Sequence, residues 1–495
     1  MNRCLYPAKV LLVGLLTAQV IATIQVFLSN LDLYRSLTAI KAAGYLTIPN
    51  HRVMQSLLEV GPAIFGGLFF TLTVGAGLSI LGLTAAWIWF RLLLKRKILL
   101  VPYFLPWLGL LYEANHRGLS PMVSSYFVVI PVVTFLAASK WMPSQISQRV
   151  WLHRAVHSIP IILLAVLWSS QLDSQMFLSL RDNLLLSNSF GMSINDFYYK
   201  YNLYPLEVFK SLDEETLKSF KLQGFQQNSI VRFLEKELHN HDYLHVEQNA
   251  RVDLEIVQQD ETLAFKNGGR TILTTSLKNF FSEPRSVLKE FSSLSYRHGF
   301  FRQFIFFSLL IGFPITLYVF LFALFCLVLC LFLKSRTSSI IASILCLLAG
   351  LASFFFFFLG RGQSVTEEEL AQALESPRWQ TRVAALKTVA QKKIEIVGFQ
   401  SYQNLLTSPH IPERYWLVRV LGVSRHPETY RDLMRFLDDP HPNVVCMAFD
   451  SLGQRGDTSA INVIIKRIKT SDHWYEQWYA YKALRKLGWK QGKSK

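Results

Sequence analysis

Long apolar runs fill two parts of the chain and predict membrane-spanning helices. Runs of about 18 or more apolar residues are long enough to cross a bilayer as helices. Seven segments reach or approach this length, namely 9–28, 62–90, 98–112, 120–139, 155–172, 303–333 and 338–359. The third is short and contains Pro102 and Pro106, so a re-entrant segment is an alternative for it. The first has a basic start, like a signal peptide, but no small-residue cleavage site follows it, which favours a retained anchor.

The apolar runs divide the chain into four predicted regions. Residues 1–172 and 303–360 form a helical membrane domain, with five and two spans. Residues 173–302 form an extramembrane α+β domain between them, and residues 361–495 form an α-helical solenoid. The predicted fold class is therefore mainly α.

Two of the loops between spans carry their own patterns. The segment 29–60 begins with an amphipathic stretch typical of an interfacial helix. The pattern in the α+β domain predicts helices over 177–187, 193–212 and 214–240, and strands over 244–257, 261–266 and 270–275. Asn267-Gly268-Gly269 is a hairpin signal between the last two strands.

The C-terminal region repeats with a period of roughly 31 to 35 residues, which is typical of stacked helix pairs. Small residues close each predicted second helix: Ala390, Gly422, Gly453 and Gly488. Earlier in the first three units lie Ser376-Pro377, Ser408-Pro409 and Asp439-Pro440. Serine and aspartate cap helix starts and proline fits the first turn, so each pair predicts a helix start. The fourth unit has Tyr475 at the proline position, as expected of an atypical terminal repeat.

The stretch DPHPNVVCMAFDSLGQRGDTSAI, residues 439–461, resembles HEAT-like repeats of the kind found in phycobilisome lyases. The resemblance covers about residues 364–490. It implies an α-solenoid of about four helix pairs whose default role is protein binding. It does not imply lyase activity.

The net charge of +17 follows the membrane regions and not a nucleic-acid surface. Residues 1–172 and 301–360 supply +13 of it, and the tail 361–495 supplies +7, against −3 for the loop between them. The predicted cytoplasmic ends hold eleven Lys and Arg residues and the outer ends five. This bias predicts a bacterial inner-membrane protein with a cytoplasmic N-terminus and both soluble parts outside. Both become cytoplasmic if the third span does not cross.

The sequence contains few residues that point to chemistry. His239, His241 and His245 are weak metal-ligand candidates, because imidazole binds zinc but their spacing fits no zinc pattern. His153 and His157 lie four residues apart at the start of a span, where membrane-interface residues are common. No catalytic motif is found. We therefore expect no cofactor and no catalysis.

Two residue sets predict contacts. Ala63, Gly67, Thr71, Gly75 and Ser79 form a stripe of small residues along the second span, which allows a close helix contact, either with a partner subunit or within the chain's own bundle. In the last repeat, Trp474, Tyr475 and Trp489 are candidates for a partner-binding hot spot.

These patterns favour a membrane-anchored scaffold or assembly factor that binds an unidentified protein through the concave face of its solenoid. The alternative is a transporter or channel subunit for an uncharged or lipid-like solute, suggested by the glycine-rich second span and the proline-broken third span. The span interiors carry no Asp, Glu, Lys or Arg, which argues against an ion-coupled carrier.

Overall fold

The described structure, a computed structural model, covers residues 2–94, 96–143, 150–171, 176–247, 251–359 and 365–493. Helices dominate it, and one five-stranded sheet lies in the middle of the chain. An apolar helix bundle, a small sheet-containing body and a solenoid pack against one another through shared hydrophobic clusters.

Five helices of the described residues are long and apolar enough to cross a bilayer, judged by length and composition. They are Leu5–Ala42, inside α1 (Asn2–Ala42); Val60–Leu92, which joins α3 (Val60–Phe70) to α4 (Ala76–Trp87); Pro121–Trp141, which is α6; Gly299–Leu329, which joins α14 (Gly299–Phe307) to α15 (Phe313–Leu329); and Ser335–Phe355, inside α16 (Ser335–Leu359). A further pair, Ser158–Gln171 with Met176–Leu185, has the same apolar character but bends by 104° at its break.

The first, third and fifth predicted spans differ from the observed helices in where they begin or end. α1 runs without a break to Ala42, so the predicted interfacial stretch after residue 29 is the C-terminal end of the first helix and not a separate element. α2 (His51–Ser56) follows it. The predicted third span is α5 (Leu100–Asn115), a helix of 16 residues and thus about 24 Å long, which is shorter than a bilayer core. The predicted fifth span, 155–172, matches α7 (Val150–Gln171), which begins five residues earlier.

The bundle has two distinct ends. At one end, a small apolar cluster is formed by the beginning of α1, the end of α4 and the end of α6. At the same end, the Arg91 guanidinium donates a hydrogen bond to the Pro143 carbonyl. At the other end the space beside Gly118, just after α5, is limited by the Arg297 side chain just before α14. α5 therefore connects the two ends, and the sheet body and the solenoid lie at the end away from Arg91.

The predicted small-residue stripe packs against α1 of the same chain. A Cβ atom added at Gly75 would lie 2.5 Å from the Ala18 Cβ, and one at Gly67 would lie 3.1 Å from the Thr23 backbone nitrogen. Ala63, Thr71 and Ser79 are buried in the same contact region. Small residues on both antiparallel helices thus let their backbones approach closely, as in packed membrane helices.

One polar side chain reinforces this contact. Gln19 on α1 donates a hydrogen bond to the Ile64 carbonyl at 2.9 Å and accepts one from the Thr71 hydroxyl at 2.8 Å. Thr71 begins a π-helical turn, Thr71–Gly75, that joins α3 to α4. The turn is irregular backbone at a helix contact, and the amide of Gln19 satisfies polar groups beside it.

The region predicted as one α+β domain divides into two parts. Its first part, α8 (Met176–Leu180), a π-helical turn (Arg181–Leu185), α9 (Ser189–Tyr201) and α10 (Leu203–Phe209), packs on the bundle and the solenoid and not on the sheet. The separation has a packing cause, since the buried residues Leu203, Tyr204 and Phe209 join the cluster formed by α1 and α3.

The second part is the sheet body, residues 212–295. Its strands have the order β2-β1-β3-β4-β5 and are β1 (Lys218–Gln223), β2 (Tyr243–His245), β3 (Leu254–Gln259), β4 (Thr262–Asn267) and β5 (Arg270–Ser276). β1 is parallel to β2 and β3, and the other pairs are antiparallel. Its helices are α11 (Asn228–Asn240), α12 (Leu277–Ser282) and α13 (Pro284–Ser295). The hairpin at Gly268-Gly269 forms as predicted, with both residues at positive φ.

The predicted helix over 214–240 is wrong in its first half. Residues 218–223 form β1, in which Phe220 and Leu222 alternate into the sheet core. Gly224 follows at φ +77°, a left-handed conformation that ends the strand before α11 begins. The predicted strand over 244–257 is likewise two strands, β2 and β3, separated by a connection.

The C-terminal region consists of four helix pairs. The first helices are α17 (Leu370–Leu374), α19 (Tyr402–Leu406), α21 (Pro427–Arg435) and α23 (Ile461–Thr470), and the second helices are α18 (Trp379–Lys392), α20 (Ile411–Val423), α22 (Pro442–Arg455) and α24 (Trp474–Lys486). The second helices stack on one another in chain order. The predicted solenoid of four pairs is therefore confirmed.

Candidate binding surface of the solenoid

Close packing between second helices depends on two of the predicted small residues. A Cβ atom added at Gly422 would lie 2.7 Å from the Ser451 Cβ, and one at Gly453 would lie 2.9 Å from the Ala483 Cα. Gly488 serves another purpose, because it follows α24 at φ +79° and so continues the chain after the helix end.

The Ser-Pro and Asp-Pro pairs lie in the turns that precede the second helices and not at the helix starts themselves. Each second helix begins two residues after its proline, and the side chain before the proline accepts a hydrogen bond from the backbone N–H two residues on. The acceptors and donors are Ser376 and Arg378 at 3.2 Å, Ser408 and His410 at 3.1 Å, and Asp439 and His441 at 2.9 Å. The side chains thus stabilise the turn that precedes each helix and do not cap the helix itself.

The same turn corrects the alignment of the fourth unit. Ser471 accepts a hydrogen bond from the His473 N–H at 3.1 Å, and α24 begins at Trp474. Asp472, and not Tyr475, therefore occupies the proline position. Gly488 is not equivalent to Gly422 and Gly453, because it lies outside α24 and a Cβ there would meet no atom within 4 Å.

We define the inner face of the solenoid as the surface formed by its four second helices, and the chain's own segment 176–201 packs along this face. Asp182, only 2% exposed, accepts a hydrogen bond from the Trp416 indole N–H at 2.9 Å and pairs with Lys387 at 3.0 Å. The neighbouring Arg181 pairs with Asp182 at 2.7 Å, and its guanidinium carbon lies 3.9 Å from the centre of the Tyr415 ring. A buried carboxylate between two cations thus joins the segment to α18 and α20.

α9 continues this contact along α22 and α24. The buried side chains of Asn195 and Asn443 hydrogen-bond at 2.9 Å, and the Asn443 amide also donates to the Tyr199 hydroxyl at 2.8 Å. The Trp474 indole N–H donates to the Tyr199 carbonyl at 3.0 Å. Burial raises the pKa of Tyr199 well above its usual value, so the hydroxyl stays neutral inside this interface. Together with Asp182, α9 makes the segment contact all four second helices.

Two of the predicted partner-binding aromatics are part of this internal interface. Trp474 is buried, and the Tyr475 ring meets the Tyr199 ring edge-on at 4.5 Å. Trp489 packs edge-on against Tyr481 at the far end of the last unit. The predicted hot spot is therefore corrected for Trp474 and Tyr475: the surface they contact belongs to the same chain.

The last unit is also clamped by two loops. Asn50 lies in the loop that follows the C-terminal end of α1, and its side-chain amide donates to the Ile468 and Ser471 carbonyls, each at 2.8 Å. On the other side, the Tyr481 hydroxyl donates to Asp242 of the sheet body at 2.5 Å, and Arg485 pairs with the same carboxylate at 3.1 Å. The solenoid is thus held at both its inner face and its C-terminal end.

The histidine candidates have protein partners in this region. The His239 ring hydrogen-bonds the Tyr45 hydroxyl at 3.1 Å, and His245 pairs with Glu235 at 2.8 Å. His241 follows the end of α11, and burial lowers the pKa of both His239 and His241. In the described part of the chain, no group of three His, Cys, Asp or Glu residues is placed to hold a metal ion. The side chains of His153 and His157 lie outside the described residues.

The outer edge of the solenoid carries a polar groove of about 640 Å³. It lies where the chain leaves the second helices and is lined by Lys393, Glu395, Ser424, Arg425, Arg455 and Asp457. Burial alone would raise the pKa of Glu395, but hydrogen bonds from the Arg425 N–H and the Ser424 hydroxyl lower it below its usual value. The groove therefore presents fixed charges of both signs.

The wall of this groove is held by Arg455. Its guanidinium donates to the Ser424 carbonyl and to the His426 carbonyl, both at 2.7 Å, and so joins α22 to the turn before α21. Arg425 lines the groove and is exposed, and Arg431 on the neighbouring helix α21 is exposed as well. The groove is therefore accessible to another macromolecule.

Comparison with known proteins agrees with the helix pairs. A search of curated proteins and a search of solved structures each found no significant match. Residues 402–485 match the family described as HEAT repeats. The C-terminal region of this chain is therefore a HEAT-like repeat solenoid.

Proposed function

We propose that this protein is a scaffold or assembly factor, anchored in the bacterial inner membrane, that binds a protein partner at the outer edge of its HEAT-like solenoid. HEAT repeats generally serve protein–protein interaction. One observation supports this choice of surface: the chain's own segment 176–201 packs on the inner face, whereas the groove beside Arg425 is open. The proposal includes no catalytic step.

The charge distribution supports the proposed orientation. Arg91 and Lys140 belong to the bundle end away from the solenoid, and basic residues favour the cytoplasmic side of a membrane. The soluble parts would then face outward. The competing hypothesis of a carrier rests partly on the glycine-rich second span. Close packing within the chain also suits these glycines, since Gly67 and Gly75 approach α1, Gly77 approaches Ser308 and Gly82 approaches Thr134.

Charge reversal at the groove tests the partner surface. We expect the full chain, extracted in a mild detergent, to copurify with one protein in a fixed ratio. The double variant Arg425→Glu with Arg431→Glu should lose this protein, because a polar edge binds through complementary charge. The purified partner should then bind the unmodified chain directly.

A matched double variant on the sheet body, Arg270→Glu with Lys289→Glu, should retain the partner, since these exposed residues are remote from the groove. Thermal unfolding midpoints should be alike in all three proteins. A chain that always purifies alone, or a partner held equally by both variants, would contradict the proposal.

A further inference from the structure

We infer that α9 is an interfacial helix whose apolar face lies in the outer headgroup region of the bilayer while its opposite face holds the solenoid. The inference rests on the proposed membrane anchoring. It adds a second surface, with a lipid bilayer as its partner, to the protein-binding edge.

The exposed side chains of α9 are unusual for a helix in water. Phe190 is 71% exposed, Ile194 43%, Phe197 40% and Tyr198 51%. At about 100° of rotation per residue, these four fall within an arc of about 100°. A continuous apolar stripe of this kind on a helix is typical of a membrane-surface helix.

The other side of the same helix is fixed to the solenoid. Asn195 and Tyr199, which hydrogen-bond Asn443, lie well outside the apolar arc and point away from it. Asp196 and Lys200 are exposed between the two faces. The solenoid therefore covers one face of α9 and leaves the apolar face uncovered in the described structure.

The position of α9 along the bundle identifies the covering surface as lipid. The Phe65 ring on α3 packs against the Phe197 ring at 5.8 Å and against the Tyr201 ring at 4.8 Å. Phe65 is exposed and lies within two turns of Glu59, which immediately precedes the predicted span Val60–Leu92. The apolar stripe of α9 is thus continuous with the outward-facing surface of a predicted span, at the level where that span leaves the membrane.

This arrangement has a consequence for the solenoid. Because segment 176–201 contacts all four second helices, a bilayer-bound α9 turns the inner face of the solenoid toward the membrane. The outer edge with Arg425 then faces away from the lipid. Aromatic rings such as Phe197 and Tyr198 suit the headgroup level, where one side of the helix is apolar and the other is hydrated.

A photoreactive benzophenone amino acid distinguishes lipid from protein at this face. The full chain would carry it at Phe197, at Asp196 of the same helix, or at the exposed α1 position Val20, in vesicles of phosphatidylethanolamine and phosphatidylglycerol. We expect lipid adducts by intact mass spectrometry at Val20 and Phe197, and several-fold fewer at Asp196. Substitution at exposed positions preserves the packed faces of each helix.

Two results would overturn the inference in different ways. Lipid adducts at Val20 with none above the Asp196 level at Phe197, or cross-links from Phe197 to a second protein, would show that another surface covers α9. An absence of lipid adducts at Val20 as well would remove the membrane anchoring on which the inference rests, and the inference with it.

Discussion

Replacing Asp182 with alanine should weaken the attachment of the solenoid more than any other single change in the interface. The carboxylate is 2% exposed and compensates the charges of Arg181 and Lys387. Its removal leaves Arg181 largely buried without its counter-charge and also deprives the Trp416 indole of its acceptor. Breaking one side of a buried ion pair costs about 3 to 5 kcal/mol. The unfolding midpoint, measured by scanning fluorimetry in one fixed detergent, should fall by several degrees.

Asp196→Ala is the matched control for this change, because Asp196 is an exposed carboxylate in the same segment. Its midpoint should stay close to that of the unmodified chain. Adding Arg181→Met to Asp182→Ala should recover part of the loss, since the uncompensated cation is then absent. If Asp182→Ala and Asp196→Ala unfold alike, segment 176–201 does not hold the solenoid as described.

Replacing Gly75 with alanine should have the next largest effect. The added Cβ would lie 2.5 Å from the Ala18 Cβ, so α1 and the predicted span Val60–Leu92 must move apart. Overpacking of this kind costs about 1 to 3 kcal/mol. The expected result is a lower unfolding midpoint and a smaller yield of folded protein from the membrane.

A second substitution, at Ala18, should relieve this clash. Ala18→Gly removes the atom that the new Cβ meets, so the double variant Gly75→Ala with Ala18→Gly should return close to the original midpoint. The helix propensities of the two exchanges nearly cancel. Gly61→Ala is the control, because a Cβ at Gly61 would meet no atom of a neighbouring element within 4 Å. A Gly75→Ala protein as stable as Gly61→Ala would contradict the close approach of these helices.

Much of the solenoid could be predicted from the sequence because each repeat has the same local needs. Small residues recur where second helices touch, as at Gly422 and Gly453, and a serine or aspartate recurs in the turn before each second helix. The fourth unit was misaligned because its turn residue, Ser471, is followed by Asp472 and not by proline. Ser471 was the available signal, since it stands at the same spacing before its helix as Ser376.

The contacts of the solenoid could not be predicted in the same way. The repeat pattern does not show whether Trp474 is exposed or buried. Only the tertiary structure brings Tyr199, which lies 275 residues earlier, into contact with it. Asp182 lies in a segment without a recognisable motif, and its partners Lys387 and Trp416 follow more than 200 residues later. Such pairs leave no periodic pattern, because one residue of each pair lies outside the repeats.

The strand β1 was missed for a different reason. Its apolar residues are few, and Leu217 and Phe220 have a spacing that also fits a helix turn. The parallel pairing with β2 and β3, not local propensity, decides its conformation. The pattern beyond residue 28 predicts a separate interfacial helix because polar residues such as Asp32 and Arg35 interrupt the apolar run. In the structure this stretch continues α1, and Leu37 and Ile40 lie on a buried face of the same helix.

The chain's own segment 176–201 packs on the inner face of the solenoid, and we propose that a partner binds the groove beside Arg425. A benzophenone amino acid at Tyr475, beside the Tyr199 ring, tests the internal contact when a protease site is inserted at the exposed hairpin tip between Gly268 and Gly269. After irradiation in membranes, cleavage and denaturation, we expect the two fragments to stay joined, with the cross-link in residues 189–201. Fragments that separate, with Tyr475 linked instead to a second protein, would contradict this internal contact.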